Sequence, residues 1–203
     1  VYISSDPERI VATDLYNFIY ISNSIDNENI SWEKKSYNCE SYIKDLCCSK
    51  DLSLIYLIEV DGYIAYSNDF GNSFIKLQNI GIRYFRGVDC SADGATVAAV
   101  ISYDSIYISS DYAKSWKRND NLDMNDWSSI KLSSDGKNQI ATVEDGFVYI
   151  SFDNGETFKS ILYPGKWISS ACSGDFSVIY LADMSGKIYR YSPYADKENL
   201  QQL

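Results

Sequence analysis

The sequence contains no histidine, which excludes sites where imidazole acts as acid, base, nucleophile or zinc ligand. It has only 3 Pro and 2 Met, and 18 Lys plus Arg stand against 28 Asp plus Glu. The resulting formal charge of -10 repels a phosphate backbone, so we expect no nucleic acid partner. No apolar run approaches the roughly 20 residues that span a bilayer, so we expect no membrane insertion.

What the chain does contain favours β-structure and repetition. Aromatic residues make up 15% of it, with 18 Tyr, and this composition favours pleated strands over helices. A serine with an aspartate two residues later recurs about every 42 residues, a period typical of stacked repeats. These serines are Ser4, Ser49, Ser91, Ser133 and Ser173, and in phase with them a second series follows at Ser22, Ser67, Ser109, Ser151 and Ser192.

The fourth copy shows the strand pattern within one repeat. Its apolar or alternating segments, 127–133, 139–144, 147–151 and 157–162, are separated by Asp135-Gly136, Asp145-Gly146 and Asn154-Gly155. These dipeptides are typical of hairpin turns and predict one four-stranded antiparallel sheet. Because one such sheet cannot bury both faces by itself, five copies predict an all-β β-propeller with five four-stranded blades. The approximate blades are 1–36, 37–79, 80–121, 122–163 and 164–203.

A large apolar residue stands six positions before the first-strand serine in the last four copies, at Ile43, Phe85, Trp127 and Trp167. The first copy has none, because its serine is already residue 4. We therefore expect the chain to begin inside a strand and the natural protein to extend upstream. A five-bladed ring closed near the two termini is the first interpretation, and an open piece of a longer propeller is the second.

Three turns between the third and fourth predicted strands share a longer motif. The residues that share it are Ser67, Asp69, Gly71, Ser73 and Phe74; Ser109, Asp111, Ser115 and Trp116, with Ala113 in the Gly place; and Ser151, Asp153, Gly155, Thr157 and Phe158. These turns resemble the Asp-box (BNR) repeat, Ser/Thr-x-Asp-x-Gly-x-Ser/Thr-Trp/Phe, of sialidases, sortilin-type receptors, xyloglucanases and photosystem II assembly factors. The first copy keeps Ser22 and Trp32 with three extra residues, and the fifth keeps little beyond Ser192.

Turn chemistry explains these residue types. The Asp carboxylate accepts from backbone N–H groups of its own turn, Gly tolerates positive φ, and the hydroxyl ties the returning strand. The closing aromatic residue is expected to pack between sheets. The resemblance implies that these turns lie on the side of the propeller away from the usual active face, so we interpret them as structural.

The cysteines indicate burial rather than a disulfide framework. Cys48, Cys90 and Cys172 occupy the repeat position of Leu132, which indicates a buried small apolar site. With 5 Cys and no framework spacing we expect free thiols, although Cys39 and Cys47 could each find a partner. Free thiols favour an intracellular or particle-associated protein.

We predict no catalytic residues, no metal and no cofactor. The sialidases of the resembling family need three clustered arginines, a Tyr nucleophile with a Glu partner, and an Asp acid. This chain has only Arg9, Arg83, Arg86, Arg118 and Arg190, and no Phe-Arg-Ile-Pro segment. No pair of carboxylates is marked for glycoside hydrolysis either.

Propellers usually bind ligands on loops that join blades and on turns between second and third strands. On the joining segments we predict contacts from Tyr37, Arg83, Tyr84 and Tyr163, and on the turns from Asp61, Asp104 and Asp145. Either the carboxylates form an acidic rim for a cation or a basic partner, or they serve hairpin chemistry alone. The rim comprises Asp14, Glu59, Asp61, Asp104, Glu144, Asp145 and Asp183.

The sequence therefore predicts a non-catalytic propeller that offers a rigid face to a protein partner, as a structural or assembly module. A lectin-like or glycan-processing propeller is the alternative. Exposed Tyr and Arg suit both protein surfaces and sugars, so these residues do not separate the two functions.

Overall fold

The computed structural model describes residues 2–3, 10–26, 29–39, 41–195 and 200–203, and these residues form strands and turns without a helix. Ser4 and Asp6 of the first repeat lie outside the described residues. The chain divides into two compact units, Val1–Phe85 and Arg86–Leu203.

The first unit contains two four-stranded antiparallel sheets with the strand orders β1-β2-β3-β4 and β5-β6-β8-β9. A further strand of this unit, β7, pairs with the first residues of β10. The strands are β1 (Tyr2–Ile3), β2 (Ile10–Thr13), β3 (Phe18–Asp26), β4 (Asn29–Ser36), β5 (Ile43–Cys48), β6 (Ile55–Glu59), β7 (Asp61–Gly62), β8 (Ile64–Ser67), β9 (Ile75–Leu77) and β10 (Arg83–Cys90), which continues into the second unit.

The second unit contains three sheets, with the orders β10-β11-β12-β13, β14-β15-β16-β17 and β18-β19-β20-β21. The predicted four-stranded sheets are therefore confirmed, except that β7 adds a fifth strand beside β10. The blade limits themselves stay a prediction. The remaining strands are β11 (Val97–Ile101), β12 (Ile106–Ser109), β13 (Lys117–Arg118), β14 (Trp127–Leu132), β15 (Gln139–Val143), β16 (Val148–Ser151), β17 (Lys159–Ser160), β18 (Trp167–Cys172), β19 (Ile179–Asp183), β20 (Ile188–Tyr191) and β21 (Gln201–Gln202).

Neighbouring sheets of a unit bury a shared core. In the second unit, Ala98 and Val100 of one sheet pack in a cluster with Trp127 and Ile130 of the next. The second strands β6, β11 and β15 are buried along their whole length. The predicted first-strand residues Ile43, Phe85, Trp127 and Trp167 are all buried, as are Cys48, Cys90 and Leu132, while Cys172 is half-buried.

The turn between the third and fourth strands is stabilised by its own side chains. The Ser67 hydroxyl donates to the Asp69 carboxylate at 2.7 Å and accepts from the Gly71 N–H at 2.8 Å. Asp69 also accepts from the N–H and the hydroxyl of Ser73 at 2.9 and 2.6 Å. Phe70 and Gly71 both have positive φ, 59° and 78°, and the Asn72 N–H donates to the Asp69 carbonyl at 3.2 Å, so the chain reverses at these two residues. The same bonds recur in the turns at Asp111 and Asp153.

A related turn joins the first and second strands. The Ser91 hydroxyl donates to Asp93 at 2.6 Å and accepts from the Thr96 N–H at 2.9 Å. Ser49, Ser133 and Ser173 repeat this arrangement. We call both kinds Ser-x-Asp turns. Antiparallel order places them at the same edge of each sheet, opposite the turns between second and third strands.

Backbone hydrogen bonds align these edges within the second unit. The Ala92 N–H donates to the Ser134 carbonyl at 2.8 Å, and the Ser134 N–H donates to the Gly174 carbonyl at 2.7 Å. Equivalent turns of three successive sheets are thereby joined, so the opposite edges of these sheets also lie side by side.

Candidate functional site

The edge opposite the Ser-x-Asp turns carries the predicted binding residues. We call this edge the turn face of each unit. It comprises the turns between second and third strands and the segments that lead from one sheet to the next. In the first unit these are residues 14–17, 37–39, 41–42, 60–63 and 78–84; in the second they are 102–105, 119–126, 144–147, 161–166 and 184–187.

Each turn of this face that precedes another sheet of its unit is tied to the segment leading into that sheet. In the first unit, the Asn17 side chain donates to the Ser41 carbonyl at 3.1 Å and accepts from the Ile43 N–H at 2.8 Å. In the same unit Asp61 and Gly62 pair with Tyr84 and Arg83 as strands. The turns are therefore held to their neighbours rather than projecting as loose loops.

In the second unit, two isolated β-bridges hold turns of this face to the segments that follow them. The Tyr103 N–H donates to the Asn125 carbonyl at 2.9 Å, and the Asn125 N–H donates to the Asp104 backbone carbonyl at 3.3 Å. Gly146 and Gly165 exchange two backbone bonds of 3.1 and 2.9 Å. These bonds fix the positions at which side chains leave the turn face.

Several rim carboxylates act within their own turns. Asp14 accepts from the Tyr16 and Phe18 N–H groups at 2.9 and 3.0 Å and from the Tyr20 hydroxyl at 2.9 Å. Asp183 likewise accepts from the Ser185 N–H and hydroxyl, and the hydroxyl hydrogen bond lowers the pKa of this carboxyl. Asp14 and Asp183 therefore stabilise their own hairpin turns, which is one of the two interpretations of the rim carboxylates drawn from the sequence.

Other rim carboxylates have cationic partners. In the first unit, buried Glu59 accepts from the Tyr37 hydroxyl at 2.7 Å and lies 3.6 Å from the Lys76 ammonium. In the second unit the pairs are Arg118 with Asp104 at 2.9 Å, Arg86 with Glu144 at 3.0 Å, and Lys166 with Asp145 at 3.7 Å. The rim is therefore partly neutralised by its own chain, and the prediction that Asp61, Asp104 and Asp145 contact a partner stays a prediction.

The predicted contact residues differ in their surroundings. In the first unit Arg83 and Tyr84 are exposed and lie together opposite Asp61, whereas Tyr37 is half-buried and packs edge-on against Phe74 at 5.7 Å. In the second unit Tyr163 is exposed and its ring lies 6.0 Å from buried Trp167. The Tyr163–Tyr189 neighbourhood is also perturbed: burial, followed by a hydrogen bond with Tyr163, raises the pKa of Tyr189 to about 12.

The turn face carries a set of exposed apolar side chains that was not predicted from the sequence. In the first unit Leu15 is 93% exposed, and in the second unit Tyr103 and Met124 are 70% and 67% exposed. Tyr103 also has a positive φ of 55°, which is strained for an aromatic residue. The available signal was an apolar residue at a turn position where Gly, Asn, Asp and Ser dominate. Tyr16 and Met184 have the same character.

Within the described part of the chain, no three Cys, Asp or Glu side chains are grouped as a metal site requires. The same residues include no helix with the length and apolarity that crossing a membrane needs.

The comparisons with known proteins support the fold. No protein-family model and no curated protein matches the chain. Among solved structures, an ancestral GH74 enzyme is 15% identical with a TM-score of 0.68 over 97% of this chain. The Myceliophteria thermophila Cps50 (Swd1) β-propeller domain is 10% identical with a TM-score of 0.73 over 100% of this chain. The chain spans 31% and 69% of these two structures respectively. These likenesses show that its five sheets have the β-propeller fold.

Proposed function

We propose that the chain is a non-catalytic β-propeller of the Asp-box type that binds a partner protein through its turn face. The observation that carries this proposal is the exposure of Tyr103 and Met124. These two residues lie on the turn and on the segment that the bridge between Asp104 and Asn125 joins. Aromatic residues and Met are enriched at protein interfaces. Because the backbone beneath them is already fixed, binding would order little more than their side chains.

A non-catalytic role is supported by the state of the rim carboxylates. Asp104, Glu144 and Asp145 of the second unit each have an Arg or Lys partner. Glycoside hydrolysis uses a pair of carboxyl groups that face the substrate, whereas these three side chains form ion pairs with cations of the same chain. The absence of histidine from the sequence supports the same proposal.

Affinity capture with surface variants tests this function. We expect Tyr103→Ser combined with Met124→Ser to weaken capture of a stable partner about tenfold or more, since interface aromatic residues often contribute 2 kcal/mol or more, as a rough figure. The control is Phe152→Ser, which removes an exposed ring near a Ser-x-Asp turn at the opposite edge. Equal capture by wild type, the double variant and the control would remove the proposal.

A glycan-binding function is the second candidate, because exposed Tyr84 and Tyr163 present rings on which sugars could stack. One structural neighbour is itself an ancestral GH74 enzyme. A glycan array separates the two candidate functions. Binding of a glycan that is lost in the Tyr163→Ala variant favours this function, and binding to no glycan on the array excludes it.

A further inference from the structure

The fourth strand of the first sheet is unusually long for an edge strand of this chain. β4 has 8 residues, whereas the last strands of the other sheets, β9, β13, β17 and β21, have 3, 2, 2 and 2. In the described sheet β4 has one neighbouring strand, β3. Alternate residues of such an edge turn their backbone N–H and C=O groups outward, where another strand can pair.

The length of β4 follows from the turn that its repeat lacks. In the second, third and fourth copies the third strand ends at Ser67, Ser109 or Ser151, and the Ser-x-Asp turn reverses the chain. In the first sheet the pairing continues beyond Ser22, through a bulge, to the pair Asp26 and Asn29. The loss of the compact turn thus converts a short edge into an extended one.

The two faces of β4 differ chemically. Strand alternation places Ile30, Trp32 and Lys34 on one face, where the first two are 43% and 44% exposed. The Lys34 ammonium lies 3.3 Å from the centre of the Phe18 ring on that same face. Glu33 and Lys35 lie on the other face and form an ion pair.

A groove adjoins the charged face of β4 within the first unit. It has a volume of about 530 Å³ and lies between residues 34–38 and the Ser-x-Asp turn of the second sheet. Lys35 reaches across it and donates to the Asn72 side chain at 3.0 Å. The rings of Tyr37 and Phe74, 5.7 Å apart, line it together with Lys76. Edge and groove together provide main-chain pairing and a place for side chains, which is how strand addition obtains affinity and specificity.

We propose that β4 is a docking edge to which an extended segment of a partner protein adds as a fifth strand. The apolar side chains of the added segment cover Ile30 and Trp32, and its acidic side chains face Lys35 and the groove. The acidic preference follows from charge: Lys35 and Lys76 line the groove, and its described lining includes no Asp or Glu, although the whole chain carries -10. The groove shares Tyr37 and Asn38 with the turn face of the first unit, and the proposal rests on the proposed function only in taking a protein as its partner.

Fluorescence anisotropy with a labelled octapeptide of alternating Val and Glu tests the proposal. Binding is expected to wild type, and Lys35→Glu should weaken it roughly fivefold or more, since it replaces attraction by repulsion. The matched control is Lys117→Glu, because Lys117 also contacts a residue of a neighbouring Ser-x-Asp turn, Glu156, but lies on the two-residue strand β13. This control should bind the peptide like wild type.

Two further probes separate strand addition from simple charge attraction. The same peptide N-methylated at alternate residues keeps its charge but loses main-chain donors, and it should bind at least about tenfold more weakly. A Val-Lys peptide should not bind. Equal binding of the methylated peptide, or equal losses in the Lys35 and Lys117 variants, overturns the proposal.

The oligomeric state in solution tests whether a second copy of this chain, rather than a partner protein, occupies the β4 edge. If light scattering shows a dimer that Lys35→Glu dissociates and the Val-Glu peptide does not displace, a second copy occupies the edge and the proposal is wrong. Failure of peptide binding while Tyr103 and Met124 still support capture would remove this inference alone and leave the proposed function standing.

Discussion

The side chain of Ile108 occupies the space that a side chain on Gly155 would need: a Cβ built on Gly155 lies 2.2 Å from the Ile108 Cδ1 atom. Gly155 also has a φ of 77°, in the left-handed region. The two residues belong to neighbouring sheets of the second unit, so this Ser-x-Asp turn is shaped both by its own backbone and by the sheet beside it.

Gly155→Ala should therefore destabilise the protein by about 2 kcal/mol, through φ strain and the displacement of Ile108. Urea unfolding measures the loss. The control is Ala113→Gly at the equivalent turn, where φ is already 61° with an alanine. There the relief of strain offsets the loss of a buried methyl group, and we expect a change within about 0.5 kcal/mol. An unchanged midpoint for Gly155→Ala would contradict this account.

The turn carboxylates should make stability depend on acid pH. Hydrogen bonds from the Ser115 hydroxyl, the Ser115 N–H and the Ser109 hydroxyl lower the pKa of Asp111 to about 2 from 3.8. A lowered pKa means that the unfolded chain binds the proton more readily, so this stabilisation is complete above pH 4 and is lost as the pH falls towards 2. Asp111→Asn should flatten the pH dependence of the unfolding midpoint in that window.

A matched variant distinguishes the turn from general charge effects. Asp123→Asn removes the same charge from the segment between two sheets, and it should leave the slope between pH 4 and pH 2 closer to that of wild type. Equal slopes for Asp111→Asn and wild type would show that the turn bonds do not couple to folding.

Asp89 joins two sheets of the second unit from a buried position. Its carboxylate accepts from the Leu132 N–H at 2.8 Å, and the Lys131 ammonium lies 3.9 Å away. Asp89→Ala should cost about 2 to 3 kcal/mol, because it leaves a buried N–H without its acceptor. Asp89→Asn keeps an acceptor oxygen and should cost clearly less. Thermal unfolding compares the two, and similar losses would mean that the charge matters more than the hydrogen bond.

Thiol reactivity should differ among the cysteines. Burial, with a further contribution from Asp89, raises the pKa of the Cys172 thiol to about 12, so it holds little thiolate at pH 8. Cys39 is half-buried on the segment before β5, whereas Cys47, Cys48 and Cys90 are buried. Iodoacetamide labelling followed by mass spectrometry should modify Cys39 first. Labelling of Cys172 at the same rate would contradict the assigned environment.

Local chemistry allowed the turns to be anticipated. Ser67, Asp69 and Gly71 are near neighbours in sequence, so their hydrogen bonds and positive φ follow from residue types alone. The lengths of the strands were harder to predict from the sequence. The segment 157–162 was predicted as a strand, but β17 contains only Lys159 and Ser160, since an edge strand ends wherever its neighbour stops pairing.

Contacts between distant residues could not be predicted. Arg118 and Asp104, or Arg86 and Glu144, meet only because particular strands end beside each other. The exposure of Tyr103 and Met124 was missed for a related reason, since an apolar residue in a turn is covered or exposed according to what the neighbouring sheet provides.

The amino-acid sequence alone determined the repeat, the antiparallel sheets and the self-bonded turns, because each depends on residues close together in the chain. Only the tertiary structure decided which carboxylates have cationic partners, which apolar side chains face solvent, and that β4 is an extended edge. Those properties depend on how strands from different repeats lie against one another, and no local pattern records that arrangement.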